Sequence, residues 1–202
     1  MKNKIKILIL NFNGRQFLGD CLNSVKSINY DKMVCLGDIV GYNADPNLVV
    51  EWIRDEVDLV LAGNHDYAVL NKTDVSYFNS AAYRVCAWTQ EVLKTANKEF
   101  LDTLPVEKKE DGIHWVHSSP FEPTNWHYVS TVQAAEKNFD YFDQAICFLG
   151  HSHLPGIFEK NKNNKIYSIA ASKLKLDPQS RYIINVGSLG QPRDGNPNPS
   201  FV

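Results

Sequence analysis

The stretch "VDLVLAGNHD", residues 57–66, places three polar residues directly after an apolar run. The run at 57–63 is short, rich in aliphatic and β-branched residues, and typical of a buried strand. Asn64, His65 and Asp66 follow at its carboxyl end and offer an amide, an imidazole and a carboxylate. One such strand end is a weak signal of function, because a lone His is usually a structural residue. The other strands must therefore show whether these three residues form a site.

The same arrangement of an apolar run and a polar end recurs three more times along the chain. Asp38 follows "VCLG", His117 follows "IHWV", and "FLG" runs into His151 and His153. In an open α/β sheet, the loops at the carboxyl ends of the strands gather in one crevice. The four strand ends therefore predict a single cluster of oxygen and imidazole ligands. Imidazole with carboxylate suits Mn, Fe, Zn or Ni as the bound divalent metal.

The alternation of short strands with helical patterns predicts an α/β fold. With 202 residues, the chain is expected to form one domain over 1–202 with a sizeable core. Strands are predicted at 5–10, 33–38, 57–63, 112–120, 145–153 and 181–188, and a β-hairpin at 156–170. Helices are predicted at 17–25, 46–57, 79–94, 97–104 and 131–142. The charge run "VEKKED" at 106–111 is predicted to be a solvated loop.

Composition excludes several partners and environments. A net charge of -2 and a pI ≈ 6.3 give no electrostatic basis for nucleic acid or an anionic membrane surface as the main partner. No segment approaches the ~20 apolar residues of a membrane span. The four cysteines form no C-x-x-C pair and suit a reducing compartment. A cytoplasmic protein is therefore expected, while nothing in the sequence indicates its oligomeric state.

The chain resembles the calcineurin-like metallophosphoesterases, in particular their small bacterial and archaeal phosphodiesterase branch. The stretches that carry the resemblance are "LGDIVGYNADP", "LAGNHDYAVL", "WVHSSP", "FLGHSHLPGIF" and "INVGSLGQPRDG". They follow the family's order over about residues 33–199. The resemblance implies a four-layer α/β/β/α sandwich with a dinuclear metal site. It also implies a phosphate-ester small molecule or a nucleotide as the substrate.

The resemblance also implies a role for each polar strand end. Asp38 would bridge the two metals, Asn64, His117 and His151 would complete the second metal's shell, and His153 would serve the first. His65 would be the general acid that protonates the leaving group, and Asp66 would orient it. Arg193, in "GQPRDG", is the best candidate for a bidentate contact with phosphate.

One motif of the family is altered in this chain. The family opens with Asp-x-His-Gly at the end of the first strand, which supplies two ligands to the first metal. Asn11 and Asn13 stand at the Asp and His positions. Asn11 lacks the negative charge of Asp, and Asn13 has no imidazole nitrogen. The alteration predicts that one metal binds tightly, that the second binds weakly or is absent, and that activity is weakened.

Both ends of the chain depart from the family's pattern. Residues 5–32 resemble the opening of a family 2 glycosyltransferase, whose first strand commonly ends in an Asn-aromatic-Asn-Gly stretch like that at 11–14. This atypical segment, 1–32, is still expected to supply a strand and a helix. After "PRDGNPNPSFV" the family continues with further strands, so the sandwich is expected to be clipped at its C-terminus.

Three functions remain open from the sequence. The first is a metal-dependent phosphoesterase, weakened by the altered motif, that uses a metal-bound hydroxide to hydrolyse a phosphodiester or phosphomonoester. The second is a pseudoenzyme that binds one metal and a phosphate or nucleotide without efficient turnover. The third is a glycosyltransferase, which no residue after 33 supports.

Overall fold

The computed structural model describes residues 30–42, 44–170, 174–196 and 200, together with the backbone of 5–8. Its first sheet has three parallel strands, β1 (Ile5–Leu8), β2 (Lys32–Cys35) and β3 (Leu59–Val60), with β2 in the middle. The predicted first strand is therefore confirmed. It pairs with β2 in a register that sets Leu8 opposite Cys35.

Among the described residues, four helices accompany the first sheet. They are α1 (Pro46–Glu56), α2 (Asn64–Val69), α3 (Ser80–Val92) and α4 (Thr95–Thr103). Met33 and Cys35 of β2 pack in one buried cluster with Val50 and Ile53 of α1 and Leu101 of α4. The predicted helices near 46–57, 79–94 and 97–104 are confirmed. α1 has Pro46 in its first turn, where the missing N–H costs nothing.

The second sheet has six strands in the order β4-β5-β6-β9-β7-β8. They are β4 (Glu107–Glu110), β5 (Ile113–Val116), β6 (Ile146–Leu149), β7 (Gly156–Lys160), β8 (Ile166–Ile169) and β9 (Arg181–Asn185). β5, β6 and β9 are parallel, and the remaining pairs are antiparallel. β7 and β8 form the predicted hairpin. α5 (Val132–Asn138) and a 3-10 turn (Phe139–Tyr141) cover one face of this sheet.

The two sheets pack face to face and bury a core between them. Val34 and Leu36 alternate with the residues that face the helices, and they meet Trp115, Phe148 and Ile184 of the second sheet. The order of layers is therefore helices, sheet, sheet, helix. This confirms the predicted four-layer α/β/β/α sandwich. Burial on both faces explains why β2 shows a continuous apolar run instead of alternation.

The charge run at 106–111 was predicted to be a loop. This prediction is wrong, because the run contains the edge strand β4. β4 pairs antiparallel with β5 through a tight turn at Asp111-Gly112, where both residues have positive φ, 52° and 74°. An Asp-Gly turn is a strong hairpin signal and overrides the charge pattern. Glu110 forms an ion pair with Lys32. Charged residues also protect an edge strand from pairing with another chain.

The helix α2 was not predicted, because its six residues are too few to show a helical period and its first three read as the end of a strand. The predicted helix at 17–25 lies outside the described residues, as do Asn11 and Asn13. Within the described part of the chain, no helix is long and apolar enough to cross a membrane.

Candidate metal centre

Polar ends of strands from both sheets converge at one edge of the sandwich. Asp38 follows β2, Asn64 starts α2 after β3, His117 follows β5, and His151 and His153 follow β6; all five are buried. Ligand atoms of Asp38, His117 and His151 lie within 4.8 Å of one another. The structure thus brings together the residues that the strand-end pattern singled out. Strand ends of two packed sheets form the crevice, whereas the prediction from the sequence assumed the strand ends of a single sheet.

The carboxylate of Asp38 lies between two groups of candidate ligands. Its Oδ1 is 3.5 Å from Nε2 of His117, which is 3.3 Å from the amide Oδ1 of Asn64. Its Oδ2 is 3.7 Å from Nε2 of His153. Two donors at about 2.0–2.2 Å from one ion, at a tetrahedral angle, lie roughly 3.3–3.6 Å apart. The separations of 3.5 and 3.3 Å at His117 fall within this range, and the 3.7 Å between Asp38 and His153 is slightly longer.

The three imidazoles are each held by a backbone carbonyl. Nδ1 of His117 donates to Leu36 O at 2.6 Å, Nδ1 of His153 to Gln191 O at 2.9 Å, and Nε2 of His151 to Trp126 O at 2.8 Å. A nitrogen that donates to a carbonyl must carry the proton, so the other nitrogen of each neutral ring carries a lone pair. Second-shell bonds of this kind fix the tautomer of metal-binding histidines.

Two of these lone pairs have no protein partner. Nδ1 of His151 and Nε2 of His153 are buried and lack a hydrogen-bond partner among the described residues. Buried polar atoms are rarely left in this state, because an unsatisfied group costs free energy. The unpaired nitrogens lie beside the buried carboxylate of Asp38. The residues present therefore fit a divalent cation.

The protonation states of the cluster also suit metal binding. Burial lowers the pKa of His117, and it lowers the pKa of His151 to about 3, so both rings are neutral near pH 7. Burial alone would raise the pKa of Asp38, but the imidazoles of His117 and His65 hold it well below its usual range. A carboxylate among neutral imidazoles is the state that binds a cation without first losing protons.

The backbone at the cluster is unusual. Asp38, His151 and His153 have φ values of 56°, 61° and 59°. Non-glycine residues seldom occupy this left-handed region, and such residues concentrate at functional sites. Asn185 supports the loop that carries His151, because its amide donates to Gly150 O at 2.7 Å and Ser152 Oγ at 2.9 Å. Sequence reasoning missed Asn185; a polar residue in the apolar run "RYIINV" is the signal that points to it.

His65 and Asp66 have separate roles in the structure. Nδ1 of His65 contacts the carbonyl of Gly41 at 3.1 Å. The carboxylate of Asp66 accepts from three backbone N–H groups, those of Ile39, Val40 and Gly63, at 2.9, 3.0 and 2.7 Å. In the structure the Gly41 carbonyl contacts the His65 ring, and Asp66 ties the segment after Asp38 to the segment before Asn64. The expected role of Asp66 in orienting His65 stays a prediction.

Tyr42 is a second residue that the sequence did not single out. Its hydroxyl donates to Oδ2 of Asp38 at 3.3 Å, and its ring stacks on that of His65 with centroids 3.7 Å apart. Burial raises the pKa of Tyr42 well above its usual value, and the charge of Asp38 raises it further. The phenol therefore stays protonated and acts as a donor. An aromatic residue in "GDIVGY" looks like a packing residue, so the sequence carries little signal for it.

A cleft of about 1240 Å³ opens beside the cluster. Asn64, His65, His151 and Arg193 are among its lining residues. The backbone N–H of Arg193 donates to His153 O at 3.1 Å, which ties this exposed residue to a candidate ligand. Its guanidinium contacts Gln191 Oε1 at 3.1 Å. The structure thus places the predicted phosphate-binding residue on the same cleft as the metal cluster.

Two glycines allow the loops to approach closely. A Cβ at Gly37, where φ is +101°, would lie 2.5 Å from the backbone N of Gly63. A Cβ at Gly63 would collide with the side chain and backbone of Asp38 and lie 2.7 Å from Cε1 of His117. Backbone and buried rings cannot move aside easily in a packed interior. Both positions therefore require glycine.

We expect Gly63→Ala to damage the fold and the cluster together. Overpacking at a buried position typically costs about 1–3 kcal/mol, and here the displaced groups are Asp38 and His117. Urea unfolding with EDTA present should show the loss of stability, and titration with a divalent cation should show weaker binding. Gly156→Ala is the matched control, because its Cβ would meet nothing within 4 Å. Equal stability of the two variants would contradict this packing argument.

The fold and the imidazole–carboxylate cluster together define an α/β sandwich with a buried group of residues that could hold a metal ion, and comparisons with known proteins identify its family. The family model described as "Calcineurin-like phosphoesterase superfamily domain" matches residues 15–202. The chain belongs to this superfamily. The match includes 15–32, which argues against the glycosyltransferase alternative, and it begins after Asn11 and Asn13.

The chain is also similar to individual proteins. The chain is 38% identical over 205 residues to "Uncharacterized protein MJ0912" of Methanocaldococcus jannaschii, covering all of this chain and 82% of that protein. Among solved structures, it is similar to a metallophosphoesterase from Sphaerobacter thermophilus, with 31% identity, a TM-score of 0.78, and coverage of 98% and 82% of the two chains. The hypothetical protein PH1004 from Pyrococcus horikoshii shares the fold, with 15% identity, a TM-score of 0.67, and coverage of 94% and 78%.

Proposed function

We propose that this protein is a metal-dependent phosphoesterase that hydrolyses a phosphodiester or a phosphomonoester. The observation that carries the proposal is the buried group of Asp38, His117 and His151, whose ligand atoms lie within 4.8 Å. Carbonyl-fixed tautomers turn the imidazole lone pairs toward that group. Membership of the phosphoesterase superfamily supports the reaction type.

In this proposal Asp38, Asn64, His117 and His151 hold one divalent cation, and Asp38 with His153 offers a second position. A bound divalent cation polarises phosphoryl oxygens and lowers the pKa of bound water toward neutrality. Mn, Fe, Zn and Ni all accept this mixture of oxygen and imidazole ligands. The protein contributes rigid ligands whose orientation is set before a substrate arrives.

His65 is the proposed proton donor to the leaving oxygen. Its Nδ1–H is held by the Gly41 carbonyl, so Nε2 is the atom available for proton transfer. Burial lowers the pKa of His65, which leaves the free ring neutral near pH 7. A phosphate ester brings negative charge into the cleft, and that charge raises the pKa of the ring again. In this proposal the ring carries its proton at Nε2 and donates it to the leaving oxygen.

Two other residues support the bound phosphate and the ligand loops. The guanidinium of Arg193 lines the cleft and can donate two parallel N–H groups to phosphate oxygens. Asp66 holds the backbone on both sides of the cluster through its three N–H contacts. We propose that Asp66 acts by positioning Asp38 and Asn64 and takes no part in proton transfer.

A second candidate function follows from Asn11 and Asn13. These residues stand where the family has two ligands of the first metal, so the chain could bind one metal and a phosphate without efficient turnover. Among the described residues, Asn64 and His117 lie on one side of the Asp38 carboxylate and His153 lies on the other.

Titration of metal-free protein with Mn²⁺ or Zn²⁺ is expected to show one tight equivalent and a second that is weak or absent. The reason is the loss of a carboxylate and an imidazole at Asn11 and Asn13. Loss of a residue that only orients a metal ligand commonly costs about 10–100-fold in affinity, so the loss of two ligands should cost at least that. Isothermal titration calorimetry measures both equivalents. Two equivalents of equal, tight affinity would contradict this expectation.

The same preparation tests the proposed function. Metal-loaded protein is expected to hydrolyse bis(4-nitrophenyl) phosphate or 4-nitrophenyl phosphate, and EDTA or the His151→Ala change should abolish the reaction. Asp140→Asn, at an exposed position on the 3-10 turn, is the matched control and should leave the rate unchanged. Tight binding of one metal with no hydrolysis would favour the pseudoenzyme. Absence of metal binding would exclude both functions.

A further inference from the structure

The carboxylate of Asp38 is held at both of its oxygens by groups outside the candidate ligand set. The backbone N–H of His65 donates to Oδ1 at 3.1 Å, and the hydroxyl of Tyr42 donates to Oδ2 at 3.3 Å. A carboxylate group is planar, so hydrogen bonds to both oxygens restrict its rotation about the Cβ–Cγ bond. The direction in which Oδ1 faces His117 therefore depends in part on the bond that Tyr42 makes to the opposite oxygen.

The ring of Tyr42 contacts the proposed proton donor. It stacks on the imidazole of His65 with centroids 3.7 Å apart and an interplanar angle of 21°. Phe78 packs against the same imidazole at 4.8 Å, and Nδ1 of His65 lies 3.1 Å from the carbonyl of Gly41 and 3.6 Å from Sγ of Cys86. The aromatic neighbours thus confine the plane of the imidazole, while the contacts at Nδ1 restrict its rotation within that plane.

The backbone that carries Tyr42 is fixed beside the cluster. The carboxylate of Asp66 accepts from the N–H groups of Ile39 and Val40 at 2.9 and 3.0 Å. At Gly41, where φ is +85°, an added Cβ would lie 3.0 Å from Cβ and Nδ1 of His65, so the chain passes directly alongside the imidazole. Tyr42 therefore reaches both of its partners from a backbone that is already tied to the site.

We propose that Tyr42 is a positioning residue that couples the candidate metal centre to the proton donor, with its hydroxyl fixing Asp38 and its ring fixing His65. The inference rests on the proposed function for the role of His65 in proton transfer. The two actions belong to different parts of one side chain, so they can be removed separately. Tyr42→Phe keeps the ring and loses the hydroxyl, whereas Tyr42→Leu loses both.

The role of the hydroxyl is tested by cation binding. Tyr42→Phe is expected to lower the affinity for the tight Zn²⁺ or Mn²⁺ ion about 10-fold, because hydrogen-bond partners of metal ligands commonly contribute about 10–100-fold to affinity. Competition with a chromophoric chelator measures this affinity and requires no turnover. Tyr83→Phe is the matched control, since Tyr83 is 53% exposed on α3 and lies outside the described lining of the cleft. An unchanged affinity in Tyr42→Phe would overturn the role of the hydroxyl.

The role of the ring is tested by the leaving group. Phenolate is a poorer leaving group than 4-nitrophenolate, so hydrolysis of a phenyl ester depends more on a proton from His65. At saturating cation, we expect Tyr42→Leu to lower kcat for the phenyl ester about 10-fold more than kcat for the 4-nitrophenyl ester, since a small displacement of a catalytic group can cost up to about 10²-fold. Tyr42→Phe should leave the ratio of the two rates at the wild-type value.

The substrate pair follows the class of ester that the wild-type protein hydrolyses. It is phenyl phosphate with 4-nitrophenyl phosphate for a monoesterase, and diphenyl phosphate with bis(4-nitrophenyl) phosphate for a diesterase. A wild-type ratio in Tyr42→Leu would overturn the role of the ring. Equal losses with both esters would also overturn it, because they would indicate that Tyr42 only fills space in the site.

A double-mutant cycle connects the ring to His65. His65→Ala should itself lower the rate with the phenyl ester more than the rate with the 4-nitrophenyl ester. Adding Tyr42→Leu should then change the ratio no further, because both changes act on the same proton transfer. Additive effects would refute the coupling. Urea unfolding in EDTA shows whether each variant folds, and Tyr42→Met replaces Tyr42→Leu where the latter does not, since Met fills an irregular space without an aromatic face.

The inference and the proposed function can fail separately. If the wild-type protein hydrolyses no ester, the proposed function is refuted, while a 10-fold loss of cation affinity in Tyr42→Phe would still support the role of the hydroxyl. If the wild-type protein hydrolyses esters normally and neither the cation affinity nor the ratio of rates changes in the Tyr42 variants, the inference is refuted and the proposed function stands.

Discussion

Replacing Asp38 by Asn is expected to lower the affinity for the tight divalent cation by at least about 100-fold. Asp38 is the one carboxylate within the described ligand cluster, and its two oxygens face His117 and His153. The change keeps the shape of the side chain but removes its charge, leaving neutral imidazoles and amides. Loss of a residue that only orients a metal ligand lowers cation affinity about 10–100-fold, so the loss of a charged ligand should lower it more. Hydrolysis should fall by a similar factor.

The measurement is cation affinity by competition with a chromophoric chelator, alongside the rate with an aryl phosphodiester. Urea unfolding in EDTA shows whether the fold survives, since an amide at this position can still accept from the backbone N–H of His65. Asp140→Asn removes a charge at an exposed position and should change neither quantity. A normal cation affinity in Asp38→Asn would refute the assignment of this cluster as the metal centre.

Much of the fold could be predicted, because the apolar pattern of a segment reflects which of its faces are buried in the structure. β2 is buried on both faces, so its continuous apolar run is a direct consequence of its place between helices and the second sheet. β4 was missed because charge suggested a loop, while the decisive signal was the Asp111-Gly112 turn. α2 was missed because six residues cannot show a period. Short elements depend on tertiary contacts more than on local pattern.

The candidate ligands could be predicted because each follows an apolar strand, which fixes its place at one end of a sheet. The residues that support them could not be predicted in this way. The carbonyls that orient the imidazoles belong to Leu36, Trp126 and Gln191, and any residue type could supply them. Tyr42 reaches Asp38 only because the intervening residues turn back at Gly41, where φ is +85°. Such contacts depend on the backbone path, which the sequence pattern does not specify.

The pairing of β1 with β2 bears on the altered motif. The two strands are parallel, and Leu8 lies opposite Cys35. Asp38 is three residues beyond Cys35, and Asn11 is three residues beyond Leu8. Parallel neighbours end at the same edge of a sheet. The register places the end of β1 at the same edge of the sheet as the end of β2. The hypothesis about the motif at 11–14 stays a prediction, because those residues lie outside the described part of the chain.

If Asn11 and Asn13 limit the activity, Asn11→Asp combined with Asn13→His is expected to restore a second tight metal equivalent. The double change returns one negative charge and one imidazole, so affinity for the second cation should rise at least about 10–100-fold. Hydrolysis should rise with it, because two cations clamp both the attacking and the leaving oxygens. Each single change should help much less, since residues that act as one unit are strongly non-additive. Calorimetry and the aryl phosphodiester assay measure both effects.

The restored site also tests the role of His65. His65→Ala on the double-mutant background should remove most of the gain in rate and leave two metal equivalents, because leaving-group protonation typically contributes 10²–10⁴-fold. A gain that survives this change would exclude His65 as the proton donor.

The hypothesis that Asn11 and Asn13 are altered ligands can be wrong independently of His65. If the segment is shifted by one residue, both side chains point to the opposite face of the sheet. The double variant would then bind no additional metal, and an N-terminal segment that never formed the site would explain the sequence better than decayed ligands.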